Sequence, residues 1–141
     1  MRMRIAAAAL TGLAAFGMTA SPAQADNGDV AVASSGATPA PLAGQNGCIS
    51  IPEAEGCFFH HGDRIWVKDK RADGLRAIVQ YRFNYDRAPG ECHQTGGAGA
   101  GGYCDYQMWE GGRISIRVVT RDGATGPNVD VSPWSPWLKI G

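Results

Sequence analysis

Two nine-residue stretches of this chain alternate with a period of two, and no window repeats convincingly with the period of a helix. In residues 75–83, Leu75, Ala77, Val79, Tyr81 and Phe83 take every second position, with Arg76, Gln80 and Arg82 between them and Ile78 as the one exception. In residues 113–121, Ile114, Ile116 and Val118 alternate with Arg113, Ser115 and Arg117, and Arg121 continues the polar side. Successive side chains of a strand point to opposite faces, so each pattern reads as a strand with one buried face. The aromatic run Cys57-Phe58-Phe59-His60, the turn His61-Gly62-Asp63 and the alternating stretch 64–68 read as a hairpin. Turn residues then fill 70–74, 84–90, 111–112 and 122–128, while 103–109, 129–131 and 137–140 read as further short strands. Six or seven short strands at this spacing predict an all-β fold, a small antiparallel β-sandwich.

Four cysteines constrain the sandwich further: Cys48, Cys57, Cys92 and Cys104. Their redox state follows from the first 25 residues. Arg2 and Arg4 precede an apolar run over 5–20, Ser21-Pro22 breaks it, and Ala23-Gln24-Ala25 supplies small residues for cleavage before Asp26. This is the layout of a secretory signal peptide, and it predicts an extracellular, oxidising destination. Four cysteines allow three pairings. Pairing neighbours, Cys48 with Cys57 and Cys92 with Cys104, is the favoured reading, because each pair brackets a short, turn-rich segment. Loops of this size are worth roughly 2.5–3 kcal/mol each in the chain-entropy account. A zinc site through cysteine is disfavoured, since no C-x-x-C pair is present.

Residues 26–47 are rich in Ala, Gly, Ser and Pro, with almost no large apolar side chains. Such a stretch cannot bury enough surface to offset its ordering entropy, so it reads as a flexible tether, with the folded domain at 48–141. Formal charge is balanced at 13 basic and 13 acidic residues, and loss of the leader's two arginines leaves 11 against 13. That balance gives no electrostatic reason to expect nucleic acid or an anionic membrane as partner. No second apolar stretch is long enough to span a bilayer.

The most specific local feature is Ser132-Pro133-Trp134-Ser135-Pro136-Trp137, which follows a strand carrying Arg113 and Arg117 on its polar side. Were the two segments neighbours, guanidinium planes would stack on the indoles. This resembles the Trp-Ser-x-Trp-Ser signature and arginine ladder of fibronectin-III-like cytokine-receptor domains over the last thirty residues, with Leu138 where that pattern has serine. The resemblance implies a sandwich with a structural ladder and no receptor function. The functional alternative is an aromatic platform for sugar rings built from Trp134, Trp137, Arg113 and Arg117.

Metal chemistry has one weak candidate set: His60, His61 and Asp63, with His93 brought in by the fold. Adjacent histidines on a strand would point to opposite faces, and Asp63 capping its own turn is the plainer reading. Thiolate catalysis is set aside because the cysteines are expected to be oxidised. No Ser lies in a G-x-S-x-G turn. The glycine run at 96–102 lacks the Lys-Ser/Thr ending of a phosphate loop and reads as a surface loop.

The stretch V-x-D-x-x-A-D-G at 67–74, followed by a Cys, a Gly-rich loop, Cys104-Asp105-Tyr106, Arg-x-x-x-Arg and a Trp-rich end, resembles a group of small secreted actinobacterial proteins over about residues 57–138. That resemblance carries no activity and no site residues. Some members have extra cysteines in the last strands, where this chain has none.

The expected function is a secreted, non-enzymatic module without a cofactor that binds an extracellular protein or glycan. The alternatives are an inhibitor of secreted hydrolases, presenting the 92–104 loop, and a small metal-dependent hydrolase using His60, His61, Asp63 and His93.

Overall fold

The computed structural model describes residues 30–33 and 47–141. These form two packed β-sheets with no helix, the sandwich expected from the alternation. The strands are β1 (Val30–Val32), β2 (Gly47–Ser50), β3 (Ala54–Phe59), β4 (Arg64–Asp69), β5 (Arg76–Phe83), β6 (Gly90–Gln94), β7 (Gly101–Asp105), β8 (Arg113–Arg121), β9 (Asn128–Val131) and β10 (Leu138–Lys139). The larger sheet runs β1-β6-β5-β8-β10, with β9 also on β8, and the smaller runs β2-β3-β4-β7. All pairings are antiparallel except β1 with β6.

The core lies where the apolar sides of β3 and β4 meet those of β5 and β8. Phe58, Ile65, Val67, Ala77, Val79, Ile114, Ile116 and Val118 are all fully buried there. Gly56 sits at the closest approach of the sheets: a Cβ on it would fall 2.4 Å from Val79 Cγ2 and 2.8 Å from Val118 Cγ1. Only a residue without a side chain fits between those two valines.

Both disulfides join the expected neighbours, and they do different work. Cys48–Cys57 links directly opposed residues of adjacent strands β2 and β3. Cys92–Cys104 crosses between the sheets, from β6 to β7, and both its cysteines are buried in the core.

Four elements depart from the sequence reading, and the first is β2, a strand where the sequence marks only Cys48. Val30–Val32, inside the segment read as tether, pairs in parallel with β6, and the Ala33 N–H donates to the His93 carbonyl at 2.8 Å. Ala33 is buried and the valines are half exposed, so the folded unit includes residues upstream of 48. Pairing along a sheet edge uses backbone groups, which composition does not reveal. The remainder of 26–47 apart from Gly47, and the whole leader, lie outside the described residues. The strand expected at 103–109 is β7, starting earlier at Gly101, where a Cβ would lie 3.0 Å from Trp66 Cζ2. Finally, β6 went unread because Glu91, His93 and Gln94 give it no apolar alternation. Among the described residues no helix is long and apolar enough to cross a membrane.

Candidate functional site

The outer face of the larger sheet carries the tryptophan segment. β9 and β10 both pair with β8, and residues 132–137 run along the same edge between them. Proline cannot donate to a strand edge, so the serines supply the bonds. Ser132 donates its N–H to the Val118 carbonyl at 2.9 Å, and its Oγ accepts the Val118 N–H at 2.9 Å. Ser135 repeats the arrangement on Ile116, at 2.7 Å and 3.0 Å. Ser115 Oγ adds a bond to the Ser135 carbonyl at 2.8 Å. The three-residue repeat Ser-Pro-Trp thus matches the two-residue repeat of β8.

That register delivers Trp134 and Trp137 to the outer face, where arginines stack on them. The Arg117 guanidinium lies 4.7 Å from the Trp134 ring centroid, and the Arg82 guanidinium lies 4.2 Å from Trp134 and 5.3 Å from Trp137. Arg82 pairs with Ser115, one row along from Arg117, so Trp134 stands between the two guanidinium groups. Of the sequence candidates, Trp134, Trp137 and Arg117 come together in the ladder. Arg113 does not join it: it lies one row further, opposite Lys139, and Arg82 of β5 takes the place assigned to it. The signal for Arg82 was in the sequence, since it falls on the polar side of the 75–83 alternation. Choosing between the two arginines required the strand register.

Below the ladder the polar side chains continue as one hydrogen-bonded network. Arg117 Nε donates to Gln80 Oε1 at 2.7 Å, and Gln80 Nε2 donates to Glu91 Oε2 at 2.7 Å. Glu91 receives both terminal nitrogens of Arg121, at 2.9 Å and 2.7 Å, in a bidentate pair. His93 Nε2 lies 3.2 Å from Glu91 Oε1, and its Nδ1 lies 3.2 Å from Arg76 Nη1. An arginine cannot accept a hydrogen bond, so Nδ1 is the acceptor and the proton sits on Nε2. Burial alone would raise the Glu91 carboxyl, but hydrogen bonds from Arg121, Gln80 and His93, helped by the Arg121 charge, outweigh it and hold the group at about 2. Burial lowers the His93 imidazole, against the Glu91 hydrogen bond and charge that favour its protonation, and the Arg76 and Arg121 charges lower it further. Glu91 is therefore ionised and His93 neutral at neutral pH. This network roofs Ile78 and Val119, which are fully buried although they face outward. Ile78, the exception in the alternation, is thereby explained.

A hollow of about 300 Å³ opens beside the ladder, lined by Gln80, Pro89, Glu91, Arg117 and Trp134 among others. A second, of about 270 Å³, lies between the β4–β5 and β6–β7 loops, with Asp69, Arg71, Arg76, Gln94 and Gly97 in its lining. Burial pushes the Asp69 carboxyl up, only partly countered by the Arg71 backbone N–H, and the Asp73 charge adds to the rise. The glycine loop over that hollow is pinned to the fold: Gly99 N–H donates to the Asp69 carbonyl and Gly96 N–H to Gln94 Oε1, both at 2.8 Å.

The histidine set is divided between the sheets. β3 ends at Phe59, so His60 and His61 are turn residues, and the strand rule that would separate them does not apply. Their rings lie 4.1 Å apart with the two Nε2 atoms at 3.0 Å. Asp63, at φ 49°, takes the Met108 N–H on its carboxylate at 3.0 Å and the Tyr106 N–H on its carbonyl at 3.0 Å. It ties the hairpin to the 106–108 segment instead of capping its own turn. His93 is buried in the Glu91 network on the other sheet. No group of three or more His, Cys, Asp or Glu able to hold a metal exists among the described residues.

One aromatic residue escaped the sequence reading as a site candidate. Trp109 is 62% exposed, more than any other large apolar side chain described, and stands edge-on to Tyr85 with ring centroids 5.5 Å apart. Comparison of the chain with protein-family models, with curated proteins and with solved structures finds no match.

Proposed function

We propose that this protein is a secreted, non-enzymatic binding module that holds an extracellular glycan on the outer face of its larger sheet. The observation that carries this reading is the end of the ladder at Trp137. Its indole rests on Arg82 and keeps 43% of its surface exposed. A half-exposed aromatic ring stacked on a guanidinium group, on the same face as a hollow lined by Trp134 and hydrogen-bonding side chains, is a chemistry suited to sugar rings. Trp134 serves that face as a support, since guanidinium groups flank it. Two disulfides fit an oxidising, extracellular setting, and the leader read at residues 1–25 supplies the route to it.

The test is retention on insoluble cell-wall polysaccharide. Wild-type protein is expected to be retained, and Trp137→Ala to pass through with an unchanged near-ultraviolet circular dichroism spectrum. Wild-type protein that is not retained, or a Trp137→Ala variant retained as well as wild type, overturns the reading.

A further inference from the structure

Four cations stand at the ladder end of this same face, and none has a carboxylate partner among the described residues. Arg82, Arg113 and Lys139 are exposed and Arg117 is partly buried, yet no Asp or Glu among the described residues lies within 4.0 Å of any of them. Arg64, Arg71 and Arg121 each pair with a carboxylate; Arg76 and Arg87 do not, but their guanidinium groups meet the His93 ring and the Gln107 carbonyl. Glu91, in the network next to Arg117, is saturated. Its two oxygens already meet two Arg121 nitrogens, Gln80 and His93. Arg117 is bound instead to the neutral Gln80 amide.

Arg113 and Lys139 are moreover directly opposite one another across β8 and β10. Like charges in that position oppose strand pairing. The rows of Arg113 with Lys139, of Arg82 and of Arg117 follow one another at two-residue steps, about 7 Å apart along the strands. The balanced charge of the whole chain conceals this strip.

We infer that the ligand of this face is an anionic polysaccharide, whose ring-borne carboxylates pair with Arg82, Arg113, Arg117 and Lys139 while a sugar ring lies on Trp137. The inference rests on the glycan reading above and adds the charge of the glycan. Guanidinium groups favour planar, bidentate acids. An extended acidic peptide fits less well, because the β8 edge is already filled by β9, Ser132, Ser135 and β10 and offers no strand to pair with.

The experiment compares three polymers by calorimetric titration of the full secreted protein: polygalacturonate, the same polymer fully methyl-esterified, and poly-glutamate. Polygalacturonate is expected to bind, and to bind roughly tenfold more weakly in high salt than in dilute buffer, as screened surface charges require. The esterified polymer and poly-glutamate are expected to bind at least roughly tenfold more weakly than polygalacturonate, lacking respectively the charge and the sugar ring. The double variant Arg113→Gln/Lys139→Gln leaves the stacked ladder intact and is expected to weaken polygalacturonate binding roughly tenfold with no fall in melting temperature. Equal binding of the acid and ester forms overturns the charge assignment and leaves the glycan reading standing. Poly-glutamate binding as tight as polygalacturonate overturns the polysaccharide. Binding of none of the three, in protein that is also not retained on wall polysaccharide, removes both readings. Binding of none by protein that is retained removes only this one.

Discussion

The two sheets share one core but finish their outer faces by different means. On the smaller sheet, Cys57, Phe59 and Trp66 form a compact apolar cluster with Tyr103, beside the Cys48–Cys57 bond. On the larger sheet, Ile78 and Val119 are buried beneath the side chains of Arg76, Gln80, Glu91, His93 and Arg121, contributed by three strands. A covalent, aromatic cover is indifferent to pH and salt. A cover made of charges is sensitive to both, and it leaves polar chemistry at the surface for a ligand to meet. The larger sheet therefore holds the candidate binding face.

The two disulfides give the sharpest way to break that comparison. Cys92–Cys104 is the staple between sheets and sits in the core, whereas Cys48–Cys57 joins strands already paired by backbone hydrogen bonds. The loop-closure contribution is similar for both, roughly 2.5–3 kcal/mol. The cavity left behind is larger for the first, whose two cysteines are both buried, than for the second, where Cys57 is buried and Cys48 is exposed. Cys92→Ala/Cys104→Ala is expected to lose about 3–5 kcal/mol in denaturant unfolding, against about 2–3 kcal/mol for Cys48→Ala/Cys57→Ala. Equal losses would mean that the staple between sheets holds no more than the one within a sheet.

Next in size is the ion pair on each outer face. Glu91→Gln leaves the Arg121 guanidinium, whose side chain is 10% exposed, without its carboxylate. Breaking a fully buried pair costs about 3–5 kcal/mol, and the partial exposure here brings the expected loss to about 2 kcal/mol. Arg64–Asp105 on the smaller sheet is the control, with side chains 51% and 68% exposed. Asp105→Asn is expected to change stability by less than about 0.5 kcal/mol. Thermal melts of the two variants side by side decide the matter.

The pH dependence follows from His93. Its folded-state pKa lies below the ordinary imidazole value of 6.5, so between the two values the unfolded chain binds the proton and the folded chain does not. Stability from this group is complete above the unfolded pKa and is lost progressively as pH falls below it. Glu91 does not contribute in that window, because its stabilisation is lost only between its ordinary value of 4.5 and about 2. Asp69, with a raised pKa, acts in the opposite direction, gaining stability as it is protonated. Wild-type protein is expected to melt lower at pH 5 than at pH 7, and His93→Gln to show a smaller difference. A wild-type melting temperature that is flat or rises toward pH 5 removes His93 from this role.

The smallest predicted effect shows where sequence reasoning reached its limit. The alternation in 75–83 and 113–121 made β5 and β8 legible, and short, turn-rich spacing made the disulfide pairing legible. β6 and β1 were not, because one is polar on its outward positions and the other is three residues paired through backbone alone. The ladder was half legible: the sequence marks Trp134, Trp137 and Arg117, but only the pairing of Arg82 with Ser115 shows that Arg82 lies between the indoles. Stability measurements separate the two arginines. Arg82→Ala removes two stacked contacts and is expected to lose about 1 kcal/mol. Arg113→Ala removes none, and also relieves a like-charge pair with Lys139, so it is expected to be neutral or stabilising by less than about 0.5 kcal/mol. A loss at Arg113 matching that at Arg82 would mean that the ladder extends one row further than the geometry shows. If both hold as expected, an arginine that costs stability to keep on this face is one whose value lies in what it binds.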